Sequence, residues 1–140
     1  MTPIIRLMQH AGVSRDLFRR MGPEDQMACQ FAADLRVASI EGRLDAVWFH
    51  PASELAYGHK TGASAAKART LGMHKGIYDY VFLWGTGAAA LEAKSDVGRQ
   101  TDGQKDFAHW CAAHGVQHSV FRSVPEGLGL LKGWGIYRDK

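Results

Sequence analysis

GIYDYVFLWGTGAAALEAKSDVGRQTDGQ, residues 76–104, is the stretch on which the fold turns. It reads as a strand, a tight turn at Gly85-Thr86-Gly87, a second strand and the start of a helix. Side chains alternate along a strand, so Glu92 and Lys94 point one way while Ala93 points back. An antiparallel return through the turn brings Asp79, which opens the first strand, beside Glu92 and Lys94. Two carboxylates on one patch repel. A divalent cation with oxygen ligands relieves that repulsion, and Lys94 supplies a further positive charge.

The rest of the chain arranges itself around this hairpin. Upstream, residues 23–39 predict an amphipathic helix, with Met27, Phe31 and Leu35 in an i, i+4, i+8 series. Glu24 and Asp25 fall in its first turn, where the helix dipole favours acids, and that alone accounts for them. AVWFH, residues 46–50, reads as a short buried strand stopped by Pro51. Residues 51–62 form a loop, and residues 61–71 a short helix that exposes Lys67 and Arg69 and ends at Gly72. Downstream, residues 95–100 are a polar loop. Thr101 or Asp102 caps a helix running to His114, with Phe107, Trp110, Cys111 and His114 spaced for the core. A strand follows over 117–122, then a helix over 124–132 and a polar-aromatic tail, GWGIYRDK.

Before residue 23, Thr2-Pro3 signals a helix start and Ser14 caps a second short helix. Residues 1–22 are therefore taken as a helical extension covering the core, and residues 23–140 as the main domain. Helix, strand, helix, strand, strand, helix, strand, helix predicts an α/β domain: a mixed sheet with helices on both sides.

With 140 residues the chain suits one domain and a real core. A net charge of +3 is compatible with a polyanionic partner without requiring one. The only two cysteines, Cys29 and Cys111, belong to no CxxC pair and read as buried free thiols of a reducing cytosol. No run has membrane-spanning length and no signal-peptide core opens the chain, so the expectation is a soluble cytoplasmic protein with no membrane partner.

Asp79 and Glu92 offer hard oxygens, which suit Mg²⁺ or Mn²⁺ better than zinc. The backbone carbonyl of Ala93 is placed to join them. A retained water can then act as nucleophile, with Lys94 orienting it or offsetting charge on a phosphoryl oxygen. Gln104 shares a helix face with Phe107, Ala108 and Cys111 and so looks inward. It is either a polar helix-start residue or a holder of a water or metal ligand. His50, at a strand end, reads as a packed core histidine, and Trp48, Trp84 and Trp110 as core.

These residues resemble the VRR-NUC domain of the PD-(D/E)xK nuclease superfamily. The matching segments are GIYD (76–79), LEAK (91–94) and GRQTDGQ (98–104), followed by the amphipathic helix and the Gly115-Val116 turn. Upstream, WFHPASE (48–54) resembles the family's His- and Pro-containing segment, and AKARTLGM (66–73) its basic helix. Glu24 falls where the family carries an acid on its first helix. The likeness covers about residues 24–132. It departs at Tyr78, where the family has Pro before the Asp, and at Ser53, where it has Asn.

The resemblance implies a restriction-endonuclease-like fold and metal-dependent cleavage of DNA phosphodiester bonds. It implies Asp79 and Glu92 as metal ligands, Lys94 as catalytic lysine, and Gln104 and Glu24 as supporting catalytic residues. Stand-alone members of this size are similar to phage or bacterial nucleases that act as homodimers on branched DNA, including Holliday junctions. Lys60, Lys67, Arg69, Lys75, Arg99 and Lys105 then become candidates for gripping DNA phosphates. The competing expectation is a catalytically weak nucleic-acid-binding module of the same fold.

Overall fold

The computed structural model describes residues 12–51 and 62–140. The expected Thr2-Pro3 helix start, Lys60 and most of the 51–62 loop lie outside the described residues. Four strands form one sheet in the order β1-β2-β3-β4: β1 (Val47–Phe49), β2 (Tyr80–Trp84), β3 (Gly87–Ala93) and β4 (Gln117–Phe121). The first two pairings are antiparallel and the third, β3 with β4, is parallel. Among the described residues five helices flank them: α1 (Arg15–Arg20), α2 (Pro23–Ile40), α3 (Gly62–Thr70), α4 (Asp102–Ala113) and α5 (Val124–Gly133). The domain is α/β, a mixed sheet flanked by helices, and is compatible with a restriction-endonuclease-like arrangement.

The alternation read from the sequence sorts the hairpin's side chains onto two faces. Tyr80 and Phe82 of β2 and Ala89, Leu91 and Ala93 of β3 face the main core. They pack there with Phe31, Leu35 and Ala38 of α2, Phe121 of β4 and Leu131 of α5. Phe31 and Phe121 pack with their rings tilted by 43° and the centroids 4.5 Å apart. The α5 backbone approaches so closely at Gly127 that a side-chain carbon there would lie 2.7 Å from the Phe31 ring. Tyr80 keeps its hydroxyl satisfied by donating to the Ala28 carbonyl. On the opposite face Glu92 meets α4, so helices cover both sides of the sheet.

Several details differ from expectation. The hairpin turn is the two-residue Gly85-Thr86, because Gly87 already pairs with Trp84. Gly87 suits that place: any Cβ would run into the Trp84 indole at 2.9 Å. Trp110 is not core but 54% exposed, stacked on the exposed His114 at 4.1 Å. The sheet lies against one side of α4 only, and the Phe107–Cys111 side takes it. Cys29 is half-buried and Cys111 buried, and both are free thiols. The C-terminal segment is built into the fold, not a tail: Ile136 and Tyr137 are buried, and Tyr137 bridges to Leu44. No helix among the described residues is long and apolar enough to cross a membrane.

Candidate functional site

Register arithmetic builds the site. Tyr80 pairs with Leu91 at the end of β2–β3, so the next positions out, Asp79 and Glu92, stand opposite each other. Their bonds are reciprocal. The Asp79 N–H donates to Glu92 Oε2 at 3.0 Å, and the Ala93 N–H donates to Asp79 Oδ2 at 3.0 Å. His50, following β1, adds a third hold: its Nδ1 donates to the Asp79 carbonyl at 2.5 Å. Glu24, from the first turn of α2, completes a group of three acids. One carboxylate oxygen each from Glu24, Asp79 and Glu92 lies within 4.8 Å of the others.

Glu92 is 1% exposed, and every group bonded to it is a donor. Lys94 Nζ lies 3.3 Å from Oε1, and Gln104 Nε2 donates to the same oxygen at 2.6 Å. Gln104 is oriented by its own helix. The capping box of α4 has the Thr101 N–H donating to Gln104 Oε1 at 2.9 Å, while Thr101 Oγ1 accepts from the Gln104 N–H. With its oxygen so engaged, the amide must present nitrogen to Glu92. Gln104 thus caps the helix and at the same time binds an acid of the cluster.

The approach of α4 depends on two glycines. Gly76 has a φ of +95°, and a Cβ on it would lie 2.6 Å from the Gly103 carbonyl carbon. Tyr78 reinforces the contact. It is buried, its ring lies 4.9 Å from that of Phe107, and its hydroxyl accepts from Gln100 Nε2 at 2.5 Å. Tyr78 therefore serves as a wedge between the strand entry and α4.

Burial, then the charge on Asp79, pushes the Glu92 carboxyl up to about 7, against the pull of Lys94. Burial also raises the Asp79 carboxyl, with Glu24 adding to it, while the Ala93 N–H, His50 and Lys94 pull it down. Glu24 and Asp79 open into a groove of about 840 Å³, lined also, among the described residues, by Ala28, Arg36, Trp48 and His50.

Asp79, Glu92, Lys94, Gln104 and Glu24 are thus brought together. Ala93 enters through its N–H, bonded to Asp79, and its side chain is buried in the core. Of the basic residues, Lys67 and Arg69 sit exposed on the last turn of α3, and Lys75, Arg99 and Lys105 are exposed around the start of α4. Sequence reasoning missed Ser95, whose N–H donates to Glu24 Oε2 at 3.3 Å, and Arg122, which binds the turn that Ser95 opens. It named Thr101 as one of two candidate caps but not its capping box with Gln104, although T-x-x-Q before an apolar stripe is a readable signal for one. Comparison with protein-family models, with curated proteins and with solved structures finds no match.

Proposed function

We propose that this chain is a divalent-metal-dependent DNA endonuclease that hydrolyses phosphodiester bonds. We take it to be selective for branched DNA such as Holliday junctions and to work as a homodimer in the cytoplasm. One observation carries the reading: three carboxylates converge within 4.8 Å, with a lysine ammonium 3.3 Å from the most buried of them. The resemblance of 76–79, 91–94 and 98–104 to the VRR-NUC domain supports it, and so does the mixed α/β sheet that presents these segments. A two-fold pair of such sites suits paired cuts on a four-way junction.

The residues fit Mg²⁺ or Mn²⁺. Their donors are all oxygen, and each acid's backbone or side-chain partners leave acceptor capacity. Asp79 Oδ1 and Glu24 Oε1 accept no hydrogen bond from the described residues, and Glu92 is short of positive charge for its burial. Asp79, Glu92 and Glu24 would hold the ion, with the Ala93 carbonyl as a further oxygen. When bound, the ion supplies Lewis-acid charge to a phosphate oxygen and makes a water more acidic.

The chain's own groups do the rest. Lys94 orients the attacking water and offsets charge growing on the phosphoryl oxygen. Gln104 fixes the Glu92 carboxylate, so its oxygens need no rearrangement during the reaction. The exposed Lys67, Arg69, Lys75, Arg99 and Lys105, with Lys60, hold the DNA backbone without reading sequence.

The test uses labelled four-way, flap and linear DNA with and without Mn²⁺, beside Lys94→Ala and Glu92→Ala. Metal-dependent cutting that falls by ~10²-fold or more in both variants is expected. Binding without cutting by the wild type would favour the catalytically weak binding module, and neither binding nor cutting would end the nucleic-acid reading.

A further inference from the structure

We propose that Arg122 is a positioning residue for Glu24, acting through the 95–98 turn; this rests on reading the carboxylate cluster as a divalent-cation site. Glu24 belongs to α2, whereas Asp79 and Glu92 belong to the hairpin, so its carboxylate must be tied across the fold. The tie among the described residues is the Ser95 N–H, 3.3 Å from Oε2 and 71 positions away in sequence. Ser95 opens a β-turn closed by the Gly98 N–H donating to the Ser95 carbonyl at 3.1 Å.

That turn has little packing of its own. Asp96 and Val97 at its centre are exposed, Val97 by 88%. Arg122 supplies what packing does not. It stands directly after β4, and one guanidinium nitrogen, Nη1, donates to the Ser95 carbonyl at 2.5 Å and to the Gly98 carbonyl at 2.9 Å. The backbone beside it is already in register, because the Lys94 N–H donates to the Phe121 carbonyl. Both ends of the turn are thus pinned from β4, and the pinned Ser95 amide presents itself to Glu24.

The fit on the other side is close. A Cβ on Gly98 would come within 3.3 Å of Glu24 Oε2 and 3.0 Å of Ser95 Oγ. The turn therefore sets both where the Glu24 carboxylate is held and how near it can be approached. Such outer partners of a ligand commonly change metal affinity by 10–100-fold when removed.

The experiment measures the Mn²⁺ dissociation constant of the full chain by electron paramagnetic resonance. It compares wild type, Arg122→Ala, Arg122→Lys, Glu24→Gln and the Glu24→Gln/Arg122→Ala double variant, with circular dichroism and thermal melts alongside. Arg122→Ala is expected to weaken Mn²⁺ binding about tenfold. Arg122→Lys should recover part of this, and Arg122→Ala should cost nothing further once the Glu24 carboxylate is gone. Unchanged affinity in Arg122→Ala, or an equal loss with and without Glu24, overturns the proposal while leaving the cation site standing. A wild type that binds no Mn²⁺ overturns the cation reading itself and the proposal with it. Should Arg122→Ala fail to fold, Arg122→Met, which keeps the aliphatic stem and removes the donors, runs the same cycle, with the same Glu24-dependent loss expected and an unchanged affinity or a Glu24-independent loss overturning the proposal.

Discussion

Glu92→Gln tests the electrostatics of the cluster, if it is read as a pH curve and not as a single stability. The wild-type carboxyl is held up at about 7 against an ordinary 4.5. A charge 3–5 Å away is worth roughly 3–5 kcal/mol at an effective dielectric near 20. The attraction of Lys94 and the repulsion of Asp79 are therefore of one size and largely offset, which leaves burial to decide the direction. The unfolded chain releases the Glu92 proton near 4.5 and the folded chain only near 7. Between these values the folded state holds more protons, so the contribution of Glu92 is fully present below 4.5 and is lost as pH rises through 7. At about 1.4 kcal/mol per pH unit the loss is on the order of 3 kcal/mol, or roughly 10 °C in melting temperature for a chain of this size. Glutamine does not titrate. It also puts an amide where all the neighbours donate, which adds an offset but no slope. Urea unfolding of both proteins in EDTA, from below pH 4.5 to above 7, should thus show the wild type losing its relative stability across that window and then running parallel. Parallel curves throughout would mean that Glu92 is not held in a desolvated, acid-crowded place. A difference that grows with pH would mean that the Lys94 pair outweighs burial, and would refute the reasoning.

Gln104→Ala removes half of a capping box and a hydrogen bond to Glu92 that is charge-assisted only once Glu92 is ionised, so a loss of about 2–3 kcal/mol is expected in chemical denaturation above about pH 7 and a smaller one below it. Gln104→Glu keeps the acceptor for the Thr101 N–H but turns the face toward Glu92 into a second acid. Its deficit should be small near about pH 5 and grow to several kcal/mol near about pH 8. Gly76→Ala meets both an unfavourable positive φ and the Gly103 backbone at 2.6 Å, so a loss of at least ~2 kcal/mol is expected. Gly103→Ala should cost less when the two variants are compared in thermal melts, because its Cβ would sit 3.2 Å from Gly76 Cα and alanine favours the helix.

The hairpin was legible because its information is local. Alternation over residues 80–93 assigns faces, a glycine-bearing turn fixes the register, and the register alone puts Asp79 opposite Glu92. Gln104 was half-legible, since helical spacing showed that it looks inward but not that Glu92 waits there. Trp110 misled because its spacing continues the apolar stripe of α4, and spacing cannot say how wide a face the neighbouring sheet will cover. The C-terminal segment misled for a different reason. Its two glycines and terminal charges look like a solvated end, while the pairing of Tyr137 with Leu44 joins opposite ends of the domain and leaves no periodic trace in either. Glu24 shows the limit most clearly. Its place in a helix first turn is already satisfied by the dipole, so nothing in the local sequence asks for a second role. What draws it into the site is a backbone amide at Ser95, itself held through backbone carbonyls by Arg122. Main-chain donors and acceptors are the same at almost every residue, so a constellation assembled through them writes few letters into the sequence. The acids and the lysine are spelled out, whereas the scaffold that aims the third acid becomes visible only once the chain is folded.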